Sequence, residues 1–283
     1  MDDGFFIEQS IGIVGLGLMG GSLALALRGY CTRIIGVDPN PETLALARER
    51  KVVDFATDNL AKALAQIDLL ILAAPVRANL ALLEKIPQIH SGSLAILDLS
   101  STKAEIVAAM NKLPKRFTAL GGHPMCGKET AGLAHADGKL FWDTTFALTE
   151  TARTTPALRA VAKKVLAIIS AQPLWIDAEK HDRWAAATSH LPYLLSAALV
   201  ISTPLEAAPL IGPGFQSVSR LAASDTTMMQ DILITNQAQV LAALYRYRAA
   251  LDEIENALQN QPGNLPDLLE SARQNKEKLQ REA

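Results

Sequence analysis

The segment Gly15-Leu16-Gly17-Leu18-Met19-Gly20, set between the apolar run 11–14 and the helix-like stretch 21–28, restricts this chain more than any other feature. A strand that turns at once into a helix needs glycine at the turn, and these glycines have separable jobs. Gly15 permits the tight turn, Gly17 lets the backbone come close to a pyrophosphate, and Gly20 lets the helix press onto the sheet. The free N–H groups that open the helix then face an anion. Sterics alone would explain a glycine triplet, but the next apolar run ends in Gly36-Val37-Asp38. A carboxylate at that distance is placed to accept hydrogen bonds from both ribose hydroxyls of an adenosine. The two features together predict a dinucleotide-binding unit. A 2′-phosphate brought against Asp38 would meet like charge, and Pro39-Asn40-Pro41 supplies no arginine to offset it, so NAD is expected over NADP.

Short aliphatic runs at 11–14, 33–37, 69–73, 94–97, 117–120 and 145–149 alternate with longer helix-like segments, with weaker strand signals at 52–55 and 174–176. This is the pattern of a Rossmann-type, mostly parallel sheet wrapped by helices. After Asp177 the strand signals stop and apolar residues recur at helical spacing, so a dinucleotide domain over 1–177 and an all-helical substrate and dimerisation domain over 178–283 are expected. Val240, Leu244, Tyr247, Leu251, Ile254 and Leu258 form a narrow apolar stripe that suits helix-on-helix packing, inside the domain or between subunits. A further polar helix is expected over 266–281.

The 27 Lys and Arg against 29 Asp and Glu give a formal charge of −2, which offers no electrostatic footprint for nucleic acid. The apolar stretch 191–201 falls short of the roughly 18 residues that suggest a bilayer span, so no membrane partner is expected. The acidic start, Met1-Asp2-Asp3-Gly4, lacks the basic region of a secretory leader, and a cytoplasmic location follows as the expectation. Cys31 and Cys126 are far apart and lack metal-ligand spacing, so neither a disulfide framework nor a metal site is predicted.

In open parallel sheets, ligands bind beyond the carboxyl ends of the strands. Those ends carry the glycine turn, Asp38, Ala74-Pro75-Val76, the run Asp98-Leu99-Ser100-Ser101-Thr102-Lys103, and Gly121-Gly122-His123-Pro124. Leu18, Met19, Ala74, Pro75 and Ser100 are therefore expected beside the cofactor. His123 is the leading candidate for proton transfer, because two glycines before it let the backbone approach a ligand and a proline after it stiffens the turn. Ser101 either adds a hydroxyl on the same rim or caps the helix that begins near Lys103. Pro192 interrupts an otherwise helical stretch just after Ser189 and His190, and a bend is predicted there.

The motifs Gly121 to Gly127, Asp98 to Lys103 and Ser189-His190-Leu191-Pro192 together resemble the prephenate/arogenate dehydrogenase family, in a short form without a regulatory or mutase domain. That resemblance implies that His123 hydrogen-bonds the ring hydroxyl of the substrate, that Ser101 shares the contact, and that Arg220 holds a substrate carboxylate. It puts Glu129 near that arginine. Ser189 and His190, just before the proline, are candidates for substrate contact, His190 either touching the ligand or fixing the kink. Tyr193 stands where some relatives have a second histidine and Cys126 where alanine is common, so Tyr193 bears on how the substrate side chain is read. The implied activity is NAD-dependent oxidation and decarboxylation of prephenate or arogenate on the way to tyrosine, in a homodimer built through the helical domain. Because only a neutral imidazole accepts the hydroxyl's hydrogen bond, activity is expected to rise through the ordinary titration of histidine, around pH 6 to 7. A β-hydroxyacid dehydrogenase would share the glycine turn, but it carries a lysine and a glycine-rich helix that the stretch 181–202 lacks. A non-catalytic dinucleotide sensor would not require His123 and Ser101 at adjacent strand ends.

Overall fold

Strands β1 (Ile7–Val14), β2 (Cys31–Val37), β3 (Phe55–Thr57), β4 (Leu69–Leu72), β5 (Leu94–Asp98), β6 (Phe117–Pro124), β7 (Thr145–Glu150) and β8 (Gln172–Trp175) form one sheet in the order β3-β2-β1-β4-β5-β6-β7-β8. The structure is a computed structural model that describes residues 6–127 and 130–282. Every pairing is parallel except that of β6 with β7. β1 starts earlier than its apolar run predicts, with an irregularity in register between Ile7 and Ser10. The weak strand signals prove to be short edge-side strands displaced by about two residues, β3 and β8.

Helices α1 (Leu18–Leu27), α2 (Pro41–Glu49), α3 (Leu60–Leu64), α4 (Val76–Ile89), α5 (Ala104–Asn111) and α6 (Pro156–Ile168) cover both faces of the sheet. The central strands read as continuous hydrophobic runs because both of their faces are buried. Leu69 and Ile71 of β4 pack on one side with Leu23 of α1 and Val165 of α6, while Leu70 and Leu72 pack on the other with Ile86 of α4 and Ile106 of α5. Because β1 pairs with β2 on one side and β4 on the other, the chain reverses its direction of winding there. That switch point opens a crevice at the carboxyl ends.

Helix α7 (Ala178–Ala185), a wide π-turn over Ala186–His190, α8 (Leu191–Ser202), α9 (Pro213–Ser219) and α10 (Thr226–Thr235) follow the last strand. The predicted bend therefore takes the form of a π-turn: Pro192 has no N–H to donate to the carbonyl four residues before it, and the helix widens to accommodate this. By compactness the chain divides into Met1–Gln237 and Ala238–Ala283, so these helices share a unit with the sheet, α7 packing on α5 and α10 on α4. The second unit consists of α11 (Gln237–Asn260) and α12 (Leu265–Glu282). Along the predicted stripe of α11, Leu251 and Leu258 remain 45% and 60% exposed, and no residue of α12 is buried.

Candidate active site

The glycine turn behaves as its sequence predicts. Gly15 has φ of +90°, and a Cβ on Gly20 would lie 1.9 Å from the Gly15 carbonyl oxygen, so the α1–β1 junction closes only without side chains there. A Cβ on Gly17 would meet nothing within 4 Å, which leaves its backbone approachable from the cleft. Gly17 caps α1 with no side-chain hydrogen bond, so the helix presents its first N–H groups to whatever binds there. Asp38 also braces the turn, since its Oδ2 accepts the Leu16 N–H at 2.8 Å and its Oδ1 the Asn40 N–H at 2.9 Å. The carboxylate thus ties the glycine turn to the end of β2, and each oxygen keeps a further lone pair for a ribose hydroxyl.

A cleft of about 410 Å³ runs from this turn across the carboxyl ends of β4, β5 and β6 to the helices beyond. Gly17, Leu18, Met19, Ala74, Pro75, Ser100, Ser101, His123, Ser189 and His190 all line it. So do Met228, Met229 and Ile232 of α10, which add an apolar wall that no motif announced.

Beneath the cleft lies a buried polar network. Ser100 donates its hydroxyl to Asp98 Oδ1 at 2.5 Å and accepts from Asn79 Nδ2 at 2.9 Å; the same amide donates to the Ala74 carbonyl at 2.9 Å. The loops after β4 and β5 are pinned together in this way. Lys103, fully buried, ion-pairs with Asp98, and burial pushes its ammonium below the usual lysine range against the pull of Asp98. Ser100 lines the cleft, but its hydroxyl is committed to this network. The Ser101 hydroxyl has no partner among the described residues and does not cap α5.

The cap of α5 comes from elsewhere in the chain. Asp182 of α7 accepts the Lys103 N–H through Oδ1 at 2.7 Å and the Ala104 N–H through Oδ2 at 2.8 Å, a carboxylate placed where a helix N-terminus favours negative charge. Oδ1 also lies 2.8 Å from His181 Nδ1, and His181 Nε2 lies 2.9 Å from His123 Nδ1. His123 is 9% exposed, and this chain of contacts engages Nδ1 and leaves Nε2 as the nitrogen for the cleft that the ring lines. Burial first, then the neighbouring His181, Lys103 and His190, hold the His123 imidazole well below its ordinary pKa. His190, also buried, is pushed down to about 4 by burial. Its Nδ1 is 3.2 Å from Asn236 Nδ2, while its Nε2 is buried with no protein partner among the described residues.

Family models match nearly the whole chain: "Prephenate dehydrogenase, nucleotide-binding domain" over residues 23–173 and "Prephenate dehydrogenase, dimerization domain" over residues 177–274. The chain belongs to the prephenate dehydrogenase family. The prephenate dehydrogenase of Bacillus subtilis is 31% identical over 268 residues, covering 90% of this chain and 71% of that one. The crystal structure of prephenate dehydrogenase from A. aeolicus in complex with hydroxyphenyl propionate and NAD+ superposes with a TM-score of 0.88 at 30% identity, covering 97% and 99% of the two chains. The structure of Synechocystis arogenate dehydrogenase gives a TM-score of 0.79 at 30% identity, covering 95% and 99%.

Within this prephenate dehydrogenase fold, some predicted residues are not brought to the cleft. Arg220 sits exposed at the start of the short helical turn Arg220–Ala223, and Tyr193 is half-buried in α8; neither lines the cleft. Glu129 lies outside the described residues. The reason for Gly122 also changes: a Cβ there would lie 2.7 Å from the Asp98 carbonyl oxygen and from the Phe146 ring, so sheet packing, not ligand approach, demands the glycine. His181, Asp182, Asn236 and Asn79 carry no motif that flags them. A histidine followed by an aspartate at the start of the helical half was the one signal available.

Proposed function

We propose that this chain oxidises and decarboxylates prephenate or arogenate, with NAD as the acceptor, to give 4-hydroxyphenylpyruvate or tyrosine. The observation that carries the reading is that a neutral imidazole, braced from behind by His181 and Asp182, lines the same cleft as an uncluttered glycine turn. Gly17, the first N–H groups of α1 and the remaining lone pairs of Asp38 fit a dinucleotide and would hold it. The bound nicotinamide supplies a hydride acceptor.

Both substrates carry a ring hydroxyl on the carbon that gives up hydride and a carboxylate on the opposite ring carbon. As hydride leaves, the hydroxyl oxygen forms a double bond to its carbon and gives up its proton; the opposite carboxylate then departs as CO₂, its bonding electrons shift through the ring to make it aromatic, and the carbonyl returns to a phenol hydroxyl by taking a proton back. His123 Nε2 accepts the hydroxyl's hydrogen bond and then its proton, an interaction of the general-base kind worth about 10²- to 10⁴-fold. The Ser101 hydroxyl is the second group for that oxygen. Ala74, Pro75 and the methionines of α10 exclude water and hold the ring in register with the strand ends. Asp38 favours NAD over NADP through its repulsion of a 2′-phosphate. Ser189, His190, Tyr193, Arg220 and Glu129 remain the candidates for reading the carboxylates and side chain of the substrate. In this reading residues 1–177 serve the dinucleotide and 178–283 the substrate and the partner subunit, and the enzyme works as a cytoplasmic homodimer.

Purified protein supplied with prephenate or arogenate and with NAD or NADP tests the reading by the rate of reduced-cofactor formation. Turnover of one cyclohexadienyl acid with NAD is expected. Protein that binds NAD but turns over neither acid would overturn it.

A further inference from the structure

The geometry assigns protons as well as positions, and Asp182 is where the assignment starts. Both of its oxygens accept backbone N–H groups, from Lys103 at 2.7 Å and Ala104 at 2.8 Å, so toward His181 the carboxylate also accepts. His181 Nδ1, 2.8 Å away, must therefore carry the proton, which in a neutral ring leaves Nε2 as a bare lone pair. That lone pair faces His123 Nδ1 at 2.9 Å and can only accept, so His123 keeps its proton on Nδ1 and offers a bare Nε2 to the cleft. Free imidazole side chains in water prefer the opposite arrangement.

A second arm starts from the main chain of the same residue. The Asp182 carbonyl accepts a hydrogen bond from Asn236 Nδ2 at 2.7 Å. A carbonyl cannot donate, so this contact fixes which way round the Asn236 amide lies. The other N–H of that amide faces His190 Nδ1 at 3.2 Å, which must accept, and the His190 proton then resides on Nε2. That Nε2 is the buried atom left without a protein partner among the described residues, in a ring that lines the cleft.

We propose that Asp182 is a positioning residue that sets the two imidazoles of the cleft in opposite tautomers, an acceptor at His123 Nε2 and a donor at His190 Nε2. The cleft then offers one oxygen of the substrate a place to lose a proton and another, a carbonyl or carboxylate oxygen, a place to receive a hydrogen bond, without either ring carrying charge. Burial supports this by keeping both rings neutral near pH 7. The catalytic consequence rests on the function proposed above; the tautomers themselves do not.

The chain has five histidines, few enough to assign one by one by substitution with glutamine. Long-range ¹H–¹⁵N correlation spectra of ¹⁵N-histidine-labelled full-length protein at neutral pH distinguish Nδ1–H from Nε2–H rings. The expected result is Nδ1–H at His123 and His181 and Nε2–H at His190. A His123 ring found as Nε2–H, or averaging between tautomers, would overturn the proposal. Asp182→Asn, if it folds, is expected to abolish the Nδ1–H signature at His123 and lower kcat by about 10²- to 10⁴-fold with KM changed only a few-fold; an unchanged His123 signal in that variant would also overturn it. Should it not fold, the spectrum of the unmodified protein decides. Asn236→Leu is expected to release His190 to averaging while His123 keeps its proton on Nδ1, and an unaltered His190 would remove the second arm. Spectra as expected in a protein that turns over neither prephenate nor arogenate would leave the tautomers standing and sink the reaction.

Discussion

Surrounded by His181, His190 and the Lys103 ammonium in a buried setting, His123 resists protonation, and this moves the pH dependence away from the sequence-based expectation. In the proposed reaction the neutral ring is the working form, so its lowered pKa shifts the acid limb of kcat/KM downward. Activity is expected to be already flat where free histidine titrates, near pH 6.5, and to fall only well below it; a limb centred between pH 6 and 7 would contradict the structure. His123→Asn is predicted to cut turnover about 10²- to 10⁴-fold while NAD affinity, read by calorimetry, changes little. His190 adds a stability effect of definite sign. Its pKa is about 4 when folded, against 6.5 for the free side chain, so as the pH drops between those values the unfolded chain takes up a proton that the folded site refuses. Unfolding free energies from denaturant titration are predicted to hold steady above pH 6.5 and to decline below it, His190 contributing on the order of 3 kcal/mol of that loss by pH 4, and His190→Gln should remove that share. His123 was legible in the sequence because strand ends are where such sheets bind ligands. His181 was not, because it lies 58 residues further on and meets His123 only through tertiary folding.

Junctions between elements account for most of what the glycines and buried charges do. Gly20→Ala forces a Cβ into the Gly15 carbonyl, so the start of α1 must lift from β1; loss of dinucleotide binding together with a lower Tm is expected, and a variant that binds NAD normally would refute the packing argument. Lys103→Met leaves Asp98 buried without its counter-charge at the end of β5 and is predicted to destabilise the fold by about 3–5 kcal/mol in urea titration. The sheet was readable from the alternation of aliphatic runs, and its glycine turn was readable down to the packing of Gly15 and Gly20. The edge strands were less so, since three or four residues in a strand leave little periodicity to detect. The pairing of Asp182 with the N-terminus of α5 left no local trace. Nothing near Lys103 indicates that its helix is capped by a side chain from a different part of the chain, and the nearby Ser101 pointed to a local cap that does not form.

At the scale of the whole molecule, the conspicuous surface feature is apolar. Ile201, Leu205 and Leu210 are 84%, 92% and 89% exposed, and Val218 follows at 60%. The helical run Ala178–Ser202 is long and apolar enough to cross a bilayer by composition, with a mean hydropathy of 1.3. Its His181, Asp182, His190 and Ser196 are nevertheless buried and hydrogen-bonded within the protein, which suits a helix with one face on the fold and the other on a second copy. Leu205→Glu with Leu210→Glu is predicted to halve the mass seen by light scattering, and a mass unchanged by both charges would place the subunit contact elsewhere. Compactness divides the chain at Gln237, not after Asp177, where the end of strand signals set the boundary expected from the sequence. What that boundary hides is that Asp182, about five residues beyond it, closes the first turn of a helix on the sheet and orients the imidazole at the tip of β6. The halves are therefore not interchangeable modules: grafting the helical half of one relative onto the nucleotide half of another would preserve cofactor recognition yet leave the proton acceptor facing the wrong way wherever that single carboxylate did not come along.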